Sequence, residues 1–350
     1  MGNVSPQETL DKSSFLEAPV SYDTPRLKCI PPPHKEYIPA RSARRMGQVI
    51  RNSVVAAKVA LADAGIEMPG AIITGTGLGC VENTDKFLFS LIENEEQLLN
   101  PTPFIQSTHN TVAGQIALLT GCTAYNATYA HRGFSFGSSL LDAWLMVGEG
   151  EEESACVGGV DEITEFYYTI TQRLGFWKEE KIESLLLKES RIPGTLAGEG
   201  AAFFVLSGEK NSNTYACISG IDMFYKPKSP EEITERAKSF LHKMGTTPEE
   251  IDMVVYGICG DPEFDSYYLN LMEKVFPDAV ATWFKHLVGE YMTATAFAMW
   301  MGAKALKTNR IPTITRWEPK PKEERRLKRV LVYNHYRGAN HTFILLEKCD

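Results

Sequence analysis

The chain has 350 residues, of which 43% are apolar and 23% are charged, a balance typical of a globular protein. Its net charge of −8 argues against general affinity for nucleic acid, because binding to phosphates needs a basic surface. No stretch approaches the roughly 20 apolar residues of a membrane span, and the start lacks the apolar core of a signal peptide. The length allows two domains of ordinary size or one large α/β unit.

The cysteines and histidines show neither a metal-binding nor a disulfide pattern. The seven cysteines are scattered and never spaced as Cys-x-x-Cys, which is typical of reduced cytoplasmic thiols. The seven histidines give no His-Glu-x-x-His motif. The sequence therefore predicts a cytoplasmic protein with no disulfide and no metal site. The cysteines are Cys29, Cys80, Cys122, Cys156, Cys217, Cys259 and Cys349.

Residues 1–37 are polar and rich in proline, so we predict an extended N-terminal segment that lies over a body starting near Ile38. Apolar residues then recur at helical spacing over residues 43–66, which predicts a helix. A short apolar strand follows and runs into the glycines of "GTGLGC". A dinucleotide-binding loop would need a third glycine where Cys80 stands, so we predict no nucleotide and no other cofactor.

The segment "NATYAHRGFSFGSSLLDAW", residues 126–144, predicts the end of a strand, a tight turn at Gly133 and a helix apolar on nearly every side. A buried helix entered by a sharp turn often carries a nucleophile at its first residue, yet no cysteine stands here. His131 and Arg132 could fill the space and bond backbone carbonyls. The helix N-terminus could instead bind an anion or an acyl chain, or Ser135 or His131 could be a new nucleophile. The sequence leaves these three interpretations open.

The polar loop over residues 207–214 divides the chain into two parts with the same pattern. Each part alternates strands and helices, which predicts a mostly parallel sheet covered by helices on both faces. Two such parts in one chain indicate a pseudo-duplicated α/β fold, with halves at residues 38–210 and 211–350.

Six segments carry motifs that are specific when taken in this order: "IITGTGLG", "NPTPFIQSTHNTVAGQIALLTG", "ACVGGVDEIT", "TLAGEGAAFFVLSGE", "FKHLVGEYMTATAFA" and "VLVYNHYRGANHTFILLE". Together they resemble the β-ketoacyl synthase (condensing enzyme) family, which has the thiolase fold. The resemblance runs from about residue 37 to the end of the chain. It implies an α/β thiolase-like fold of two pseudo-duplicated βαβαβ halves in a layered α-β-α-β-α architecture.

The resemblance implies a Cys-His-His triad, and the chain departs from that triad at each position. Alignment from the apolar helix places Gly133 at the cysteine position, and a small shift places His131 there. The first family histidine falls in "VVYGICGDPEFD", which contains Tyr256, Gly257 and Cys259 but no histidine. Cys259 is a candidate reactive thiol because its loop belongs to the active site of the family. For the other cysteines an inert, buried thiol is the expectation.

The second family histidine falls on Glu290, and the family lysine is matched by Lys285. The family histidines donate hydrogen bonds to a thioester oxygen or to the enolate left by decarboxylation. An ionised Glu290 can only accept, and it would repel both the malonyl carboxylate and the enolate. A protonated Glu290 could donate but needs a strongly raised pKa, and Lys285 would favour the charged form if the two side chains meet. We therefore expect no ordinary condensation chemistry.

The predicted site combines the positions at or near the family triad and lysine with the ends of the C-terminal strands. The catalytic positions implied by the resemblance are His131, Gly133, Ser135, Cys259, Lys285 and Glu290. The substrate-binding positions are Arg132, Phe134, Tyr256, Asn334, Arg337 and Gly338.

By resemblance to the chain-length factor, we expect a non-condensing subunit that pairs with an active ketosynthase and helps to shape the acyl tunnel. The implied context is fatty-acid-like or polyene biosynthesis. The expected partners are acyl carrier protein and an active ketosynthase subunit, in a homodimer or heterodimer formed through the sheet next to the turn. Two alternatives stay open: a free-standing acyltransferase or hydrolase that acts on acyl carrier protein thioesters, and an acyl-binding protein without turnover.

An acidic carrier protein needs a local basic patch to dock on a chain whose net charge is −8. We predict docking on the second of two basic clusters, because the C-terminal strands that follow it are expected to approach the turn. The two clusters are Arg41, Arg44 and Arg45, and Arg325, Arg326, Lys328 and Arg329.

Overall fold

The computed structural model describes residues 1–318 and 326–349. Its strands are β1 (Gly2–Val4), β2 (Arg26–Leu27), β3 (Ala71–Gly75), β4 (Tyr125–Tyr129), β5 (Ser154–Asp161), β6 (Ala197–Gly198), β7 (Gly200–Ser207), β8 (Cys217–Tyr225), β9 (Met253–Tyr256), β10 (Val280–Trp283), β11 (Arg329–Tyr336) and β12 (Asn340–Glu347). Its α-helices are α1 (His34–Tyr37), α2 (Ala40–Ala43), α3 (Gln48–Ala64), α4 (Val81–Glu93), α5 (Pro101–Gln106), α6 (Thr111–Thr120), α7 (Ser135–Gly148), α8 (Glu165–Arg173), α9 (Pro230–Lys243), α10 (Pro262–Lys274), α11 (Lys285–Val288) and α12 (Thr295–Thr308).

In the described part of the chain, the longer strands form two five-stranded sheets, with the orders β1-β7-β5-β3-β4 and β10-β9-β11-β12-β8. In the first sheet β3 is parallel to β4 and β5, whereas β7 is antiparallel to β5 and β1. In the second sheet β9 is parallel to β10 and β11, whereas β12 is antiparallel to β11 and β8. Four of the five strands in each sheet therefore run in the same direction, as the prediction of mostly parallel sheets requires, and β7 and β12 run the opposite way. For β12 the cause is the tight hairpin at residues 337–339, which is too short to cross over and so makes β12 antiparallel to β11.

Helices and sheets alternate in layers, as the sequence predicts. α7 and α12 lie between the two sheets, where Leu140 and Phe297 share one core with Val157 of β5 and Val332 of β11. α3 covers the outer face of the first sheet, and α9 and α10 cover that of the second. A helix that is apolar nearly all round is stable here because sheets cover it on both sides. None of the helices within residues 1–318 and 326–349 has the length and apolar character needed to cross a membrane.

The N-terminal segment contributes one strand, β1, to the first sheet. β1 is the edge strand beside β7, with Gly2 opposite Phe203. A Cβ atom at Gly2 would lie 2.0 Å from the carbonyl oxygen of Ala56, so only glycine allows β1 to pass this close to α3. The folded body thus begins at Gly2 and not near Ile38.

A disulfide joins Cys217, the first residue of β8, to Cys349, which follows β12. The prediction of reduced thiols is wrong for this pair. Their Cα atoms lie 5.6 Å apart although 132 residues separate them in sequence, because β8 and β12 are antiparallel neighbours and Cys217 pairs with Glu347. Five cysteines elsewhere in the described chain are free and buried. The cytoplasmic location, which depended on cysteine usage, stays a prediction.

Candidate functional site

Residues 130–134, called the elbow below, join β4 to the buried helix α7, which begins at Ser135. Arg132 has a left-handed backbone with φ 52°, whereas Gly133 does not. This conformation is uncommon for a residue other than glycine and stores strain that the surrounding structure must hold. The strained residue of the elbow is therefore Arg132, and its side chain is exposed.

Gly133 is the point at which the elbow touches the hairpin between β11 and β12. A Cβ atom at Gly133 would lie 2.5 Å from Cβ of Tyr336 and 2.8 Å from Cβ of Asn340. Real Cβ atoms do not approach so closely, so no side chain fits at this position. Glycine is required there for close packing, and the alignment of Gly133 with the family cysteine stays a prediction.

The hydroxyl of Ser135 closes the elbow. It donates to the carbonyl of Arg132 (2.7 Å) and accepts from the backbone N–H of His131 (2.8 Å), and the side chain is buried. Phe134 is also buried, and its ring contacts His131 and Tyr225 at centroid distances of 5.4 and 6.4 Å. These contacts favour a structural role for Ser135, because its proton and a lone pair are already engaged.

Lys285 and Glu290 meet, and both are buried, with side-chain exposures of 0% and 3%. Lys285 Nζ lies 2.6 Å from Oε2 of Glu290 and also donates to the carbonyl of His335 (3.2 Å). The other carboxylate oxygen, Oε1, has no hydrogen-bond partner among the described residues. Burial raises the pKa of Glu290, and the charge of Lys285 opposes that rise. The site therefore holds an ion pair with one unpaired acceptor oxygen.

A small cavity of about 20 Å³ lies beside this pair, room for roughly one water molecule. Glu290 and Tyr336 both line it. Tyr336 also packs against Gly133, so a single side chain separates the elbow from the ion pair. Tyr167 and Trp177 also line this cavity.

The loop that replaces the first family histidine holds no exposed reactive group. Cys259 is buried, and burial raises the pKa of its thiol well above the usual range. Asp265 accepts from the backbone N–H groups of Cys259 (2.7 Å) and Gly260 (2.8 Å), so this carboxylate shapes the loop. Tyr256 is fully buried and its hydroxyl has no partner among the described residues. An un-ionised thiol of this kind is a poor nucleophile.

The hairpin between β11 and β12 brings the remaining predicted residues to the site. Asn334 is buried; its amide donates to Thr295 (2.9 Å) and its carbonyl accepts from Tyr268 (3.2 Å). Arg337 has a left-handed backbone (φ 47°), and its guanidinium lies 3.7 Å from the ring centroid of Phe176. Gly338 follows with φ 63°, which suits a tight turn. Asn334 thus supports the site from within, and Arg337 lies at its rim.

The sequence interpretation missed two buried histidines of this hairpin, although it quoted the segment that holds them. His335 stacks on Tyr268 at 4.3 Å, and its Nδ1 and Nε2 atoms bond to the backbone at Gly338 and Phe264. His341 lies opposite His335 in the ladder, and burial lowers the pKa of His341 to about 4. Their burial among aromatic rings depends on tertiary packing, which the spacing of histidines did not reveal.

The prediction that the second basic cluster lies near the elbow is wrong. β11 begins at Arg329 and reaches the elbow at Tyr336, so the two ends lie about 23 Å apart at 3.3 Å per residue. Arg329 pairs with Glu250 (3.0 Å) and Glu347 (2.6 Å), and Arg325 lies outside the described residues. The cations on the elbow side are instead Arg132, Lys226 and Arg337, all three with left-handed backbones.

A matched pair of substitutions tests the geometry of the elbow. Gly133→Ala is expected to lower the free energy of unfolding by about 1–3 kcal/mol, because the added Cβ must displace Tyr336 and Asn340. Arg132→Gly is expected to change it by less than about 1 kcal/mol, or to raise it, because glycine adopts a positive φ without strain. Urea denaturation followed by circular dichroism measures both. Equal destabilisation by the two substitutions would contradict the geometry.

No group of three His, Cys, Asp or Glu side chains within residues 1–318 and 326–349 is arranged to hold a metal ion. A comparison with curated protein sequences gives no match. Among solved structures, the ishigamide ketosynthase/chain length factor is 17% identical, with a TM-score of 0.79 over 100% of this chain and 98% of that chain. A β-ketoacyl synthase from Burkholderia phymatum STM815 is 15% identical, with a TM-score of 0.80 over the same shares.

A third similar structure is AntDE:AntF, a type II polyketide synthase acyl-carrier protein in complex with its ketosynthase bound to the hexaketide. It is 13% identical, with a TM-score of 0.73 over 99% of this chain and 98% of that chain. At these identities the structures show the fold alone, which is the thiolase-like fold of ketosynthases. The family model described as "Beta-ketoacyl synthase, N-terminal domain" matches residues 31–212, more than half of the chain. The chain belongs to the β-ketoacyl synthase family.

Proposed function

We propose that the chain is a non-condensing β-ketoacyl synthase homologue that works as a partner subunit, similar to a chain-length factor, in fatty-acid-like or polyene biosynthesis. The observation that carries this proposal is the buried pair of Lys285 and Glu290. Glu290 Oε2 lies 2.6 Å from the Lys285 ammonium, and the family resemblance aligns this acceptor with a histidine that donates a hydrogen bond in the condensing reaction. Similarity to the ishigamide ketosynthase/chain length factor supports the partner role.

The elbow supports the proposal because it has no cysteine and because its only exposed nucleophilic side chain is the imidazole of His131. Arg132 occupies the strained position, and a guanidinium stays protonated and is no nucleophile. Gly133 has no room for a side chain, and the hydroxyl of Ser135 is engaged with the backbone on both sides. A covalent acyl intermediate therefore lacks an attachment point at the first turn of α7.

The carboxylate of Glu290 also disfavours the decarboxylation of a malonyl group. An enolate formed by decarboxylation needs donors aimed at its oxygen, whereas an ionised carboxylate offers only acceptors. The carboxylate also repels the malonyl carboxylate before any reaction begins. Glu290 and the His335 carbonyl take two of the three donors of the Lys285 ammonium group, and the adjacent carboxylate offsets its positive charge.

No specific observation favours the acyltransferase or hydrolase alternative. Such an enzyme needs an activated nucleophile. The candidates are His131, whose exposed ring packs on Phe134, Ser135, whose hydroxyl closes the elbow, and Cys259, whose thiol is buried with a raised pKa. An acyl-binding protein without turnover would share the inactive site but would need no partner subunit. Whether another subunit covers the surface beside β4 therefore distinguishes this alternative from the proposal.

β4 is the edge strand of the first sheet and its residues are exposed or half-buried. Leu118 of α6 is 75% exposed and Leu145 of α7 is 46% exposed, and these helices pack on the two faces of β4. An open strand edge flanked by exposed leucines is a surface that natural proteins cover. We infer a homodimer or a heterodimer with an active ketosynthase that is formed through β4.

The elbow side also offers a docking surface for an acyl carrier protein. Arg132, Lys226 and Arg337 bring three cations to this side, and the backbone of Lys226 is held by a hydrogen bond to Ala339 in the hairpin (2.8 Å). An acidic carrier protein would be attracted by these cations although the whole chain is negative. We therefore propose that the carrier protein docks at these three residues and not at the basic cluster of residues 325–329.

Purified protein incubated with malonyl-loaded and acyl-loaded carrier protein is expected to release no carbon dioxide above the blank. The physical reason is the accepting carboxylate of Glu290 together with the missing thiol. Trapping of labelled carbon dioxide measures the release, and Glu290→Gln is the control, because activity from a contaminating ketosynthase would be the same in both preparations. Release by the wild type that is lost in Glu290→Gln would contradict the proposal.

Light scattering at micromolar concentration is expected to give twice the chain mass of 39.0 kDa. The double variant Leu118→Glu/Leu145→Glu is expected to be monomeric, because two buried charges per subunit would lie against the partner. Leu186→Glu is the matched control, since Leu186 is 45% exposed and lies in the 3₁₀ turn Ser184–Glu189, away from β4. A double variant that still dimerises would contradict an interface at β4, and a monomeric wild type would exclude the homodimer.

A further inference from the structure

The Cys217–Cys349 disulfide lies at the surface of the second sheet, at the end of β8 that points away from the elbow. Cys217 is exposed and Cys349 is half-buried. Cys217 begins β8, and Tyr225 at the other end of β8 packs on Phe134 of the elbow. The nine residues of β8 place the disulfide about 26 Å from that contact, at 3.3 Å per residue. The disulfide is therefore separate from the elbow and from the function proposed for it.

The other five cysteines differ from this pair because they are buried and free. Burial raises the pKa of the thiols of Cys29, Cys156 and Cys259, so these thiols are poorly ionised near neutral pH. Thiol–disulfide exchange needs a thiolate that can reach a sulfur of the disulfide. Among the seven cysteines, all of which lie in the described residues, the surface pair is therefore where exchange can occur in the folded chain.

A bulge separates the end of the β8–β12 ladder that carries the disulfide from the rest of the ladder. The two strands form six pairs in regular register, and the register then shifts between Leu345 and Leu346. Two pairs follow the shift, Ile218 with Leu346 and Cys217 with Glu347. A bulge interrupts a ladder locally. The short end beyond the bulge can therefore open while the six pairs before it stay formed.

The end of the ladder beyond the bulge forms part of the wall of a cleft between the ends of α7, β7 and β8. Cys217, Ile218 and Leu346 line this cleft, whose volume is about 460 Å³. Trp144 also lines it, and its indole N–H donates to the carbonyl of Ile218 (3.2 Å). The disulfide therefore holds the end of two strands in one wall of the cleft.

We propose that Cys217 and Cys349 form a reversible thiol–disulfide exchange site, at which a dithiol opens the bond and frees the ladder end beyond the bulge. A thiolate of the dithiol attacks the sulfur of Cys217, which is the more exposed residue. The S–S bond breaks, and its electron pair leaves on the sulfur of Cys349, which takes a proton from water. The second thiol of the dithiol then closes a disulfide within the dithiol and releases Cys217 as a thiol. The dithiol is oxidised, and the cysteine pair gains two electrons and two protons.

The fold makes this exchange reversible. The six pairs before the bulge and the hairpin between β11 and β12 hold β8 beside β12 after the bond opens. The two thiols thus stay near each other and can close the bond again. A chain of 350 residues can bury a core without a disulfide, and exposed disulfides are often the labile or regulatory ones. Both observations favour exchange over a purely structural bond.

Alkylation of the folded protein tests the exchange. The protein is treated with dithiothreitol at neutral pH and then with iodoacetamide, and its peptides are mapped by mass spectrometry. Labels are expected at Cys217 and Cys349 alone, with an unchanged circular dichroism spectrum. When dithiothreitol is removed and oxidised glutathione is added before iodoacetamide, both labels are expected to disappear and no glutathione to stay bound. A pair that reacts only in urea, labels that also reach the buried cysteines, or glutathione that stays bound would overturn the proposal.

Hydrogen exchange followed by mass spectrometry tests which part of the ladder opens. Residues 216–219 and 346–348 are expected to exchange about tenfold faster or more after reduction, because the end beyond the bulge frays. Residues 220–225, before the bulge, are expected to be unchanged. Cys217→Ser, at an exposed position, is expected to show the faster exchange with or without dithiothreitol. Cys122→Ser is the matched control and is expected to respond to dithiothreitol as the wild type does. Equal exchange in the oxidised and reduced wild type, or faster exchange that extends over residues 220–225, would overturn the proposal.

Discussion

The arrangement of the site depends on one interaction, the buried ion pair of Lys285 and Glu290. The ammonium binds Glu290 at 2.6 Å and the His335 carbonyl at 3.2 Å, so it joins the segment after β10 to β11. The backbone of Glu290 bonds to Leu196 (2.7 Å) and Gly198 (3.0 Å) on the other half of the molecule. Removing two charges from water costs several kcal/mol per ion, so the surrounding fold must hold both partners in place. The pair thus lies where the halves meet, and the backbone of Glu290 makes hydrogen bonds between them.

A second buried carboxylate supports the same junction. Asp161, at the end of β5, accepts from the backbone N–H groups of Gly77 (2.7 Å) and Thr293 (2.8 Å). Gly77 belongs to the glycine loop after β3, and a Cβ atom there would lie 2.2 Å from the sulfur of Met292. The glycines that suggest a nucleotide loop in the sequence therefore allow two halves of one fold to approach closely. Hydrogen bonds of this kind between the two halves keep the shape of the elbow.

Sequence patterns predicted the two halves and the strand-elbow-helix unit, because apolar periodicity records which elements are covered, whereas the layers were implied by the family resemblance. They also predicted the charge interaction of Lys285 and Glu290 on the condition that the two side chains meet.

Sequence patterns placed the strained turn at Gly133 rather than Arg132, because the deciding contact comes from a hairpin 200 residues away along the chain, a distance that no local pattern spans. The disulfide at Cys217 was missed for the same reason, since strand order and direction bring its partner close. The basic cluster at residues 325–329 was misplaced because the sequence does not say which end of β11 reaches the elbow.

A double-mutant cycle on the ion pair tests the account most directly. Lys285→Met and Glu290→Gln are each expected to lower the free energy of unfolding by about 3–5 kcal/mol, because each leaves a buried group without its partner. The double variant is expected to be more stable than the sum of the two effects predicts, by about 1–3 kcal/mol. Urea denaturation of the four proteins at neutral pH gives this coupling energy. Additive effects of the two substitutions would contradict the claim that the pair acts as one unit at the junction of the halves.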